Sequence, residues 1–110
     1  MSRVLVSGLI NLETTLKVEG FPLPYRPVSY PFFGVNSRVS GVGYNLTRAL
    51  TTLGHEARFV SLIGRDQAGD LVRQALQNDG LNRGFVLAVL HETAQSAILY
   101  DGDGRRSIFT

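Results

Sequence analysis

The chain contains no cysteine, which excludes a disulfide framework, a thiolate nucleophile and a thiolate metal site. Any chemistry it supports rests on oxygen and nitrogen. Its two histidines, His55 and His91, lie far apart and outside any ligand spacing such as His-x-x-x-His, so they read as surface or satisfied side chains and no metal site is expected. No apolar run approaches the ~18 residues of a membrane span, and Met1-Ser2-Arg3 followed by Val4-Leu5-Val6 is too short an apolar stretch for a signal peptide. A soluble cytoplasmic protein without membrane contact is the expectation. Charge of one sign is also lacking: the net charge is +2, arginines alternate with acids, and the only adjacent basic pair is Arg105-Arg106. A nucleic-acid footprint needs a clustered basic face, so none is expected. Internal repeats and low-complexity tracts are missing as well.

What is present is a globular composition, 44% apolar over 110 residues, which corresponds to one domain at most with a modest buried fraction. Val4–Val6, running on through Ser7-Gly8-Leu9-Ile10, is a continuous apolar run of the kind that fills a central strand buried on both faces. Residues 11–18 mix polar and apolar side chains and suit a more exposed strand. Pro22, Pro24, Pro27 and Pro31 bar a helix and favour a loop or sheet edge. An irregular strand interrupted at Gly34 then leads to a helix from Tyr44 to Leu53, whose apolar face is Leu46, Ala49, Leu50 and Leu53, stopped by Gly54. Arg58–Ile63 reads as a strand. Asp66 is placed to cap a second helix through the amide of Ala68 or Gly69, with Leu71, Val72, Ala75 and Leu76 as its buried face. Phe85–Leu90 is a further strand, and Asp101-Gly102-Asp103-Gly104 joins two last strands, Ser96–Tyr100 and Ser107–Phe109, as a hairpin. The order mixes parallel α/β units with antiparallel pieces.

Ser40-Gly41-Val42-Gly43-Tyr44-Asn45-Leu46-Thr47 is the segment best suited to hold a ligand. Glycine backbone can approach a bound group without Cβ obstruction, and the helix start that follows offers unpaired amides, so Gly41 and Gly43 are expected to supply backbone donors. Asn45 adds a side-chain donor and acceptor. Just beyond the first strand, Asn11 and Glu13 stand two apart, on one side of an extended segment and at the carboxyl end where open α/β sheets bind ligands. Fixed donors and acceptors of this kind suit the hydroxyls of a polyol. Taken singly, each has a plain structural reading: Asn11 as a turn residue, Glu13 as a solvated strand residue, Asn45 as a helix cap.

The spacing resembles the N-terminal signature of the ribokinase (PfkB) family of sugar kinases. That pattern is a small residue, Gly, an optional residue, Gly/Ala/Pro, any residue, Asn, any residue, Ser/Thr/Ala, and then glycines after intervals of six and nine residues. Every element from Gly41 to Gly64 fits, and only Ser40 departs. Gly8-Leu9-Ile10-Asn11-Leu12-Glu13 is similar to the family's segment with Asn and Asp two apart, whose side chains bind sugar hydroxyls. The resemblance therefore implies substrate contacts from Asn11, Glu13, Gly41, Val42, Gly43 and Asn45. The longer Glu13 alters the expected sugar, and Val42, where ribokinase itself has lysine, argues against ribose. Gly64-Arg65-Asp66-Gln67-Ala68-Gly69 is similar to the family's Gly-x-Asp-x-x-Gly segment, read here as structural. Arg106 resembles an arginine in some members' lid strands, although a solvated edge charge is the commoner explanation.

The implied fold is ribokinase-like α/β: a parallel-sheet core with flanking helices, plus antiparallel lid strands around 11–39 and 96–109. The implied activity is transfer of the γ-phosphoryl of ATP to a sugar or sugar-phosphate hydroxyl, with Mg2+, and with pairing of two copies through the lids. In the family the catalytic base, the nucleotide site and the metal site come from a later Gly-Ala-Gly-Asp type motif. No such motif occurs here, so the expectation is an N-terminal part, incomplete at its C-terminus and inactive alone, of a kinase of roughly 300 residues. Two other readings stay open. One is a dinucleotide-binding domain, because Gly41-x-Gly43 before a helix with Asp66 after the next strand mimics part of a Rossmann fingerprint, although Leu46 replaces the third glycine. The other is a non-catalytic domain that binds a sugar or a partner.

Overall fold

The computed structural model describes residues 1–110. Its elements are β1 (Arg3–Ser7), β2 (Asn11–Lys17), β3 (Val35–Ser40), α1 (Val42–Thr52), β4 (Glu56–Gly64), α2 (Gln67–Asn78), β5 (Val86–Leu90), β6 (Gln95–Tyr100) and β7 (Arg106–Phe109). The succession of strands and helices is the one that the sequence pattern predicts. The chain divides into two compact units, one of residues 1–12 and 39–94, the other of residues 13–38 and 95–110. No helix is long and apolar enough to cross a membrane.

The first unit is a three-stranded parallel sheet in the order β1-β4-β5 with α1 and α2 on one face. Val6, Phe59, Ile63 and Val86 project from that face and meet Tyr44, Val72 and Leu76 of the helices, together with Ile10 and Leu81. Burial of such side chains stabilises by about 1.5–3 kcal/mol each. β1 is shorter than the apolar run that contains it: the strand ends at Ser7, Leu9 is exposed, and Ile10 is buried outside the ladder. It is also an edge strand here, with β4 at the centre, and only alternate residues of β1 face the core. A period-2 strand places Leu5 on the opposite face, where Leu62, Leu87 and Val89 are likewise exposed.

α1 buries only part of the face its apolar residues suggest: Leu50 packs against the core, but the rest of the contact is made elsewhere. Gly43, Tyr44 and Thr47 point inward, whereas Leu46 and Leu53 remain 49% and 73% exposed. Close docking at Gly43 decides this: a Cβ there would stand 2.7 Å from the carbonyl carbon of Gly8 and 2.8 Å from Phe59 Cε1. Thr47 tolerates burial because its hydroxyl donates to the Gly43 carbonyl oxygen at 2.8 Å, so no polar atom is left unpaired. In α2 the inward residues are Ala68, Gly69, Val72 and Leu76, and Leu71 is exposed.

The second unit is built on the four-stranded sheet β3-β2-β6-β7. Contacts of Glu13 with Arg38, Thr15 with Asn36 and Lys17 with Gly34 run in opposite directions, so β2 and β3 are antiparallel. β6 and β7 are antiparallel too, Ala97 opposite Phe109 and Tyr100 opposite Arg106. The Val18 amide, however, donates to Tyr100 in a register that rises along both strands from Leu12 and Ala94, which makes the sheet mixed. The proline-bearing segment 21–31 forms no strand.

Candidate functional site

The glycine-rich helix start is pinned to the end of β1. Gly41 takes φ 114°, a left-handed conformation suited to glycine, and a Cβ on it would approach the Leu9 carbonyl oxygen to 2.5 Å. That oxygen accepts from the amides of Gly43 at 3.0 Å and Tyr44 at 3.3 Å, while the Asn45 amide donates to the Gly41 carbonyl oxygen. The expectation that Gly43 lends its amide to a ligand is therefore corrected. The glycines serve close approach between α1 and residues 8–10, because the orphan donors of a helix start find their acceptor within the chain. No side chain caps α1, so Asn45 is not a cap; it stands in the first turn, exposed, as does Val42.

Asn11 opens β2 and is buried in the first unit. Glu13 belongs to the second unit, where its side chain is 12% exposed and its Oε2 receives Arg38 Nε at 3.3 Å. The ion pair keeps a carboxylate in place on a largely polar sheet face, next to Thr15, Asn36, Ile98, Tyr100 and Arg106 around a hollow of about 340 Å³. Arg38 is a partner of Glu13 that the sequence did not announce. The signal is the β2–β3 register, which places it opposite Glu13 and which no local pattern specifies.

The Gly64–Gly69 segment is held by Asp66 and Thr93. Asp66 Oδ1 accepts from the Gly69 amide at 2.8 Å, so the cap falls on Gly69. Thr93, from beyond β5, donates its amide to Oδ2 at 2.9 Å and its hydroxyl to Oδ1 at 2.7 Å, and its hydroxyl oxygen accepts from the Gly64 amide at 2.8 Å. These bonds, the Thr93 hydroxyl foremost, hold the Asp66 carboxyl below the usual carboxylate range. In the second unit Asp101, whose side chain is 2% exposed, organises the hairpin turn by accepting from the amides of Asp103 and Arg105 and from Arg105 Nε. Burial raises its pKa, and the amide, guanidinium and charge of Arg105 outweigh that to leave it lowered. Arg105 in turn donates to the Phe21 carbonyl oxygen and lies over the Phe21 ring. Thr93 and Arg38 are the organising residues that sequence reasoning missed, whereas Asp101 stands in the hairpin turn that the sequence predicts.

Both helix starts are thus served by groups of the chain itself, α1 by Leu9 and α2 by Asp66. No group of three or more His, Cys, Asp or Glu side chains is placed to hold a metal ion. These residues do not fit a nucleotide-phosphate or Mg2+ site. What they present is, in one unit, the loop 8–11 with the start of α1 and, in the other, a sheet face carrying Glu13, Arg38 and Arg106. The strand before Gly41, β3, is exposed and belongs to the four-stranded sheet. A Rossmann fingerprint requires an apolar strand of the parallel sheet there, so the dinucleotide reading is set aside.

The family model for pfkB family carbohydrate kinases matches residues 1–110. The ATP-dependent ribose-1-phosphate kinase of Halopiger xanaduensis is 31% identical over 111 residues, covering 98% of this chain and 36% of that protein. The bifunctional ribokinase/ribose-5-phosphate isomerase A of Fructilactobacillus sanfranciscensis is 26% identical over 110 residues, covering 99% of this chain and 20% of that protein. Among solved structures, ribokinase from Cryptococcus neoformans var. grubii serotype A in complex with ADP is 27% identical with a TM-score of 0.76, covering 99% of this chain and 34% of that one. The chain thus spans about a third or less of the length of these relatives. A mixed α/β fold with a parallel sheet, the signature from Gly41 to Gly64 and the match over every residue agree: the chain belongs to the pfkB family of carbohydrate kinases.

Proposed function

We propose that the intact protein transfers the γ-phosphoryl group of ATP, with Mg2+, to a hydroxyl of a sugar or sugar phosphate, and that this chain supplies the acceptor-binding wall and a lid. The observation that carries the reading is the buried Asn11, set directly after the loop on which Gly41 and Gly43 dock. An amide side chain fixed in this way pairs with a hydroxyl as donor and as acceptor at once. Asn45 is the further contact proposed in the first unit, and Glu13 the one proposed in the second, whose strands are read as the lid. Catalytic base, nucleotide and metal contacts come from other parts of the protein, so the 110-residue chain alone turns nothing over. Pairing of two copies through the second unit is part of the proposal, supported by the exposed Tyr25, Tyr30, Phe32 and Phe33 of that unit.

The test is ADP release by the full-length protein with ATP and Mg2+ across sugars, sugar phosphates and nucleosides. Saturable turnover is expected for at least one acceptor. Asn11→Ala should raise the acceptor KM by about tenfold, the worth of one or two hydroxyl hydrogen bonds, without moving the KM for ATP. Acceptor binding without any turnover would favour a non-catalytic binding domain, and a raised KM for ATP would remove Asn11 from the acceptor site.

A further inference from the structure

Aspartate precedes glycine at three places in this chain, Asp79-Gly80, Asp101-Gly102 and Asp103-Gly104. A glycine in that position lacks the Cβ that would obstruct its own amide nitrogen from reaching the preceding carboxyl carbon, so each pair can close into a cyclic imide. The structure treats the three differently. Asp79 Oδ2 accepts from the Tyr44 hydroxyl and pairs with Arg48 at 3.5 Å, and the Gly80 amide donates to the Gln77 carbonyl oxygen at 3.1 Å. The Asp101 side chain, 2% exposed, accepts from the amides of Asp103 and Arg105 and from Arg105 Nε. Its lowered pKa keeps it ionised, and an ionised carboxyl has no hydroxyl to lose as water. Asp103 has none of these restraints. It is exposed, as are Gly102 and Gly104 on either side, and its carboxylate takes part in no hydrogen bond or ion pair of the chain. Open space surrounds the Cβ position of both glycines. The attacking nitrogen, that of Gly104, is held only by its bond to the Asp101 carbonyl oxygen at 3.2 Å.

We propose that Asp103 is a site of spontaneous isomerisation to isoaspartate, and that Asp79 and Asp101 are spared by the bonds that hold their carboxylates. The Gly104 amide nitrogen loses its proton and bonds to Cγ of the protonated Asp103 carboxyl, whose hydroxyl departs as water, and a succinimide results. A water molecule then opens the imide. Cleavage between the nitrogen and Cγ restores aspartate, whereas cleavage between the nitrogen and the α-carbonyl carbon leaves the chain running through Cγ with a free α-carboxylate. Mass and charge are unchanged, and the reaction needs neither substrate nor partner. The product adds one carbon to the backbone of a turn whose length fixes the pairing of Tyr100 with Arg106. It therefore loosens the bonds between Asp101 and Arg105, and with them the contact of Arg105 with Phe21. All of these residues belong to the second unit, and the reaction is independent of the kinase activity proposed above.

The experiment ages the full-length protein at neutral pH, both folded and in urea. Isoaspartate is measured by methyl transfer from S-adenosylmethionine with an isoaspartyl methyltransferase, and it is assigned to a position by fragmentation of proteolytic peptides. In the folded protein it should accumulate at position 103 at least about tenfold faster than at 79 or 101, the factor that one hydrogen bond to a charged group implies. In urea the three positions should converge, because the bonds that spare two of them are gone. Asp103→Glu, whose longer side chain closes a larger ring more slowly, should abolish the signal of the folded protein. Its melting temperature should hold on ageing while that of the wild type falls. No isoaspartate at 103, equal rates at the three positions of the folded protein, or a preference for 103 that persists in urea would overturn the proposal. An aged wild type that carries isoaspartate at 103 and melts like fresh protein would refute its consequence for the hairpin.

Discussion

Thr93 grips Asp66 with both of its donors, the amide on Oδ2 and the hydroxyl on Oδ1, across 27 positions of sequence. The same hydroxyl oxygen receives the Gly64 amide, so one side chain joins the end of β4, the start of α2 and the segment after β5. Both glycines of that junction are fitted to it. A Cβ on Gly69 would run into the Gly64 carbonyl oxygen, and one on Gly64 would run into the backbone of Glu92 and Thr93.

Replacing Thr93 by valine keeps the shape and removes the hydroxyl, which leaves the buried Gly64 amide without its acceptor. Unfolding by urea should show a loss of about 1–3 kcal/mol. Serine at the same position should recover most of it, and equal stability of the valine and serine variants would contradict the network.

Acid should weaken the same junction. Asp66 and Asp101 both have pKa values lowered in the folded protein, so they bind protons less readily folded than unfolded. Their contribution is complete above the unfolded value of about 3.8 and is lost as pH falls through the lower folded values. Thermal melting followed downward from pH 5 should therefore fall more steeply in the wild type than in Asp66→Asn, which starts less stable and loses less.

Glycine 43 separates docking from conformational freedom. It is helical, so alanine would be favoured there on propensity alone, yet its Cβ would meet Gly8 backbone and the Phe59 ring. Gly43→Ala should cost about 1–3 kcal/mol or more by overpacking, whereas Gly102→Ala, with open space around its Cβ position, should stay within about 0.5 kcal/mol. Leu46→Gln, despite removing a leucine from the apparent helical stripe, belongs with the second group.

This last contrast shows where the sequence was readable. Asp66 was legible as a cap because its acceptor and the Gly69 amide lie three residues apart, a distance that local pattern encodes. The hairpin at 101–104 was legible for the same reason. Arg38 opposite Glu13, and Thr93 beneath Asp66, depend on strand register and on chain return, which leave no local mark. The face of α1 was legible only at Leu50, which packs against the core, because hydrophobic periodicity weights leucine, while the docking surface is made chiefly by the absence of a side chain at Gly43 and by a hydroxyl that bonds within its own helix at Thr47. The continuous run from Val4 to Ile10 likewise signals burial without saying where the strand ends.

Alkali should act through Tyr44. Its hydroxyl donates to Asp79, Arg48 sits over its ring and pairs with Asp79, and burial followed by the Asp79 bond and charge pushes its pKa up from 10.0 to about 12. The folded protein thus holds this proton more tightly, and the stabilisation is complete below about pH 10 and lost as pH rises through about 12. Tyr44→Phe should lower stability at neutral pH by about 1–2 kcal/mol and flatten the decline between those values. An unchanged alkaline profile would show that the phenol does not contribute.

The Leu9 carbonyl has a final consequence, for ionic strength. Because it accepts from the amides of Gly43 and Tyr44, two donors at the start of α1 are satisfied inside the chain by an uncharged partner. Arg38 and Arg106, by contrast, are solvent-exposed charges that added salt screens over about 8–10 Å. Added salt should therefore weaken the Glu13–Arg38 ion pair while leaving the hydrogen bonds to the Leu9 carbonyl in place.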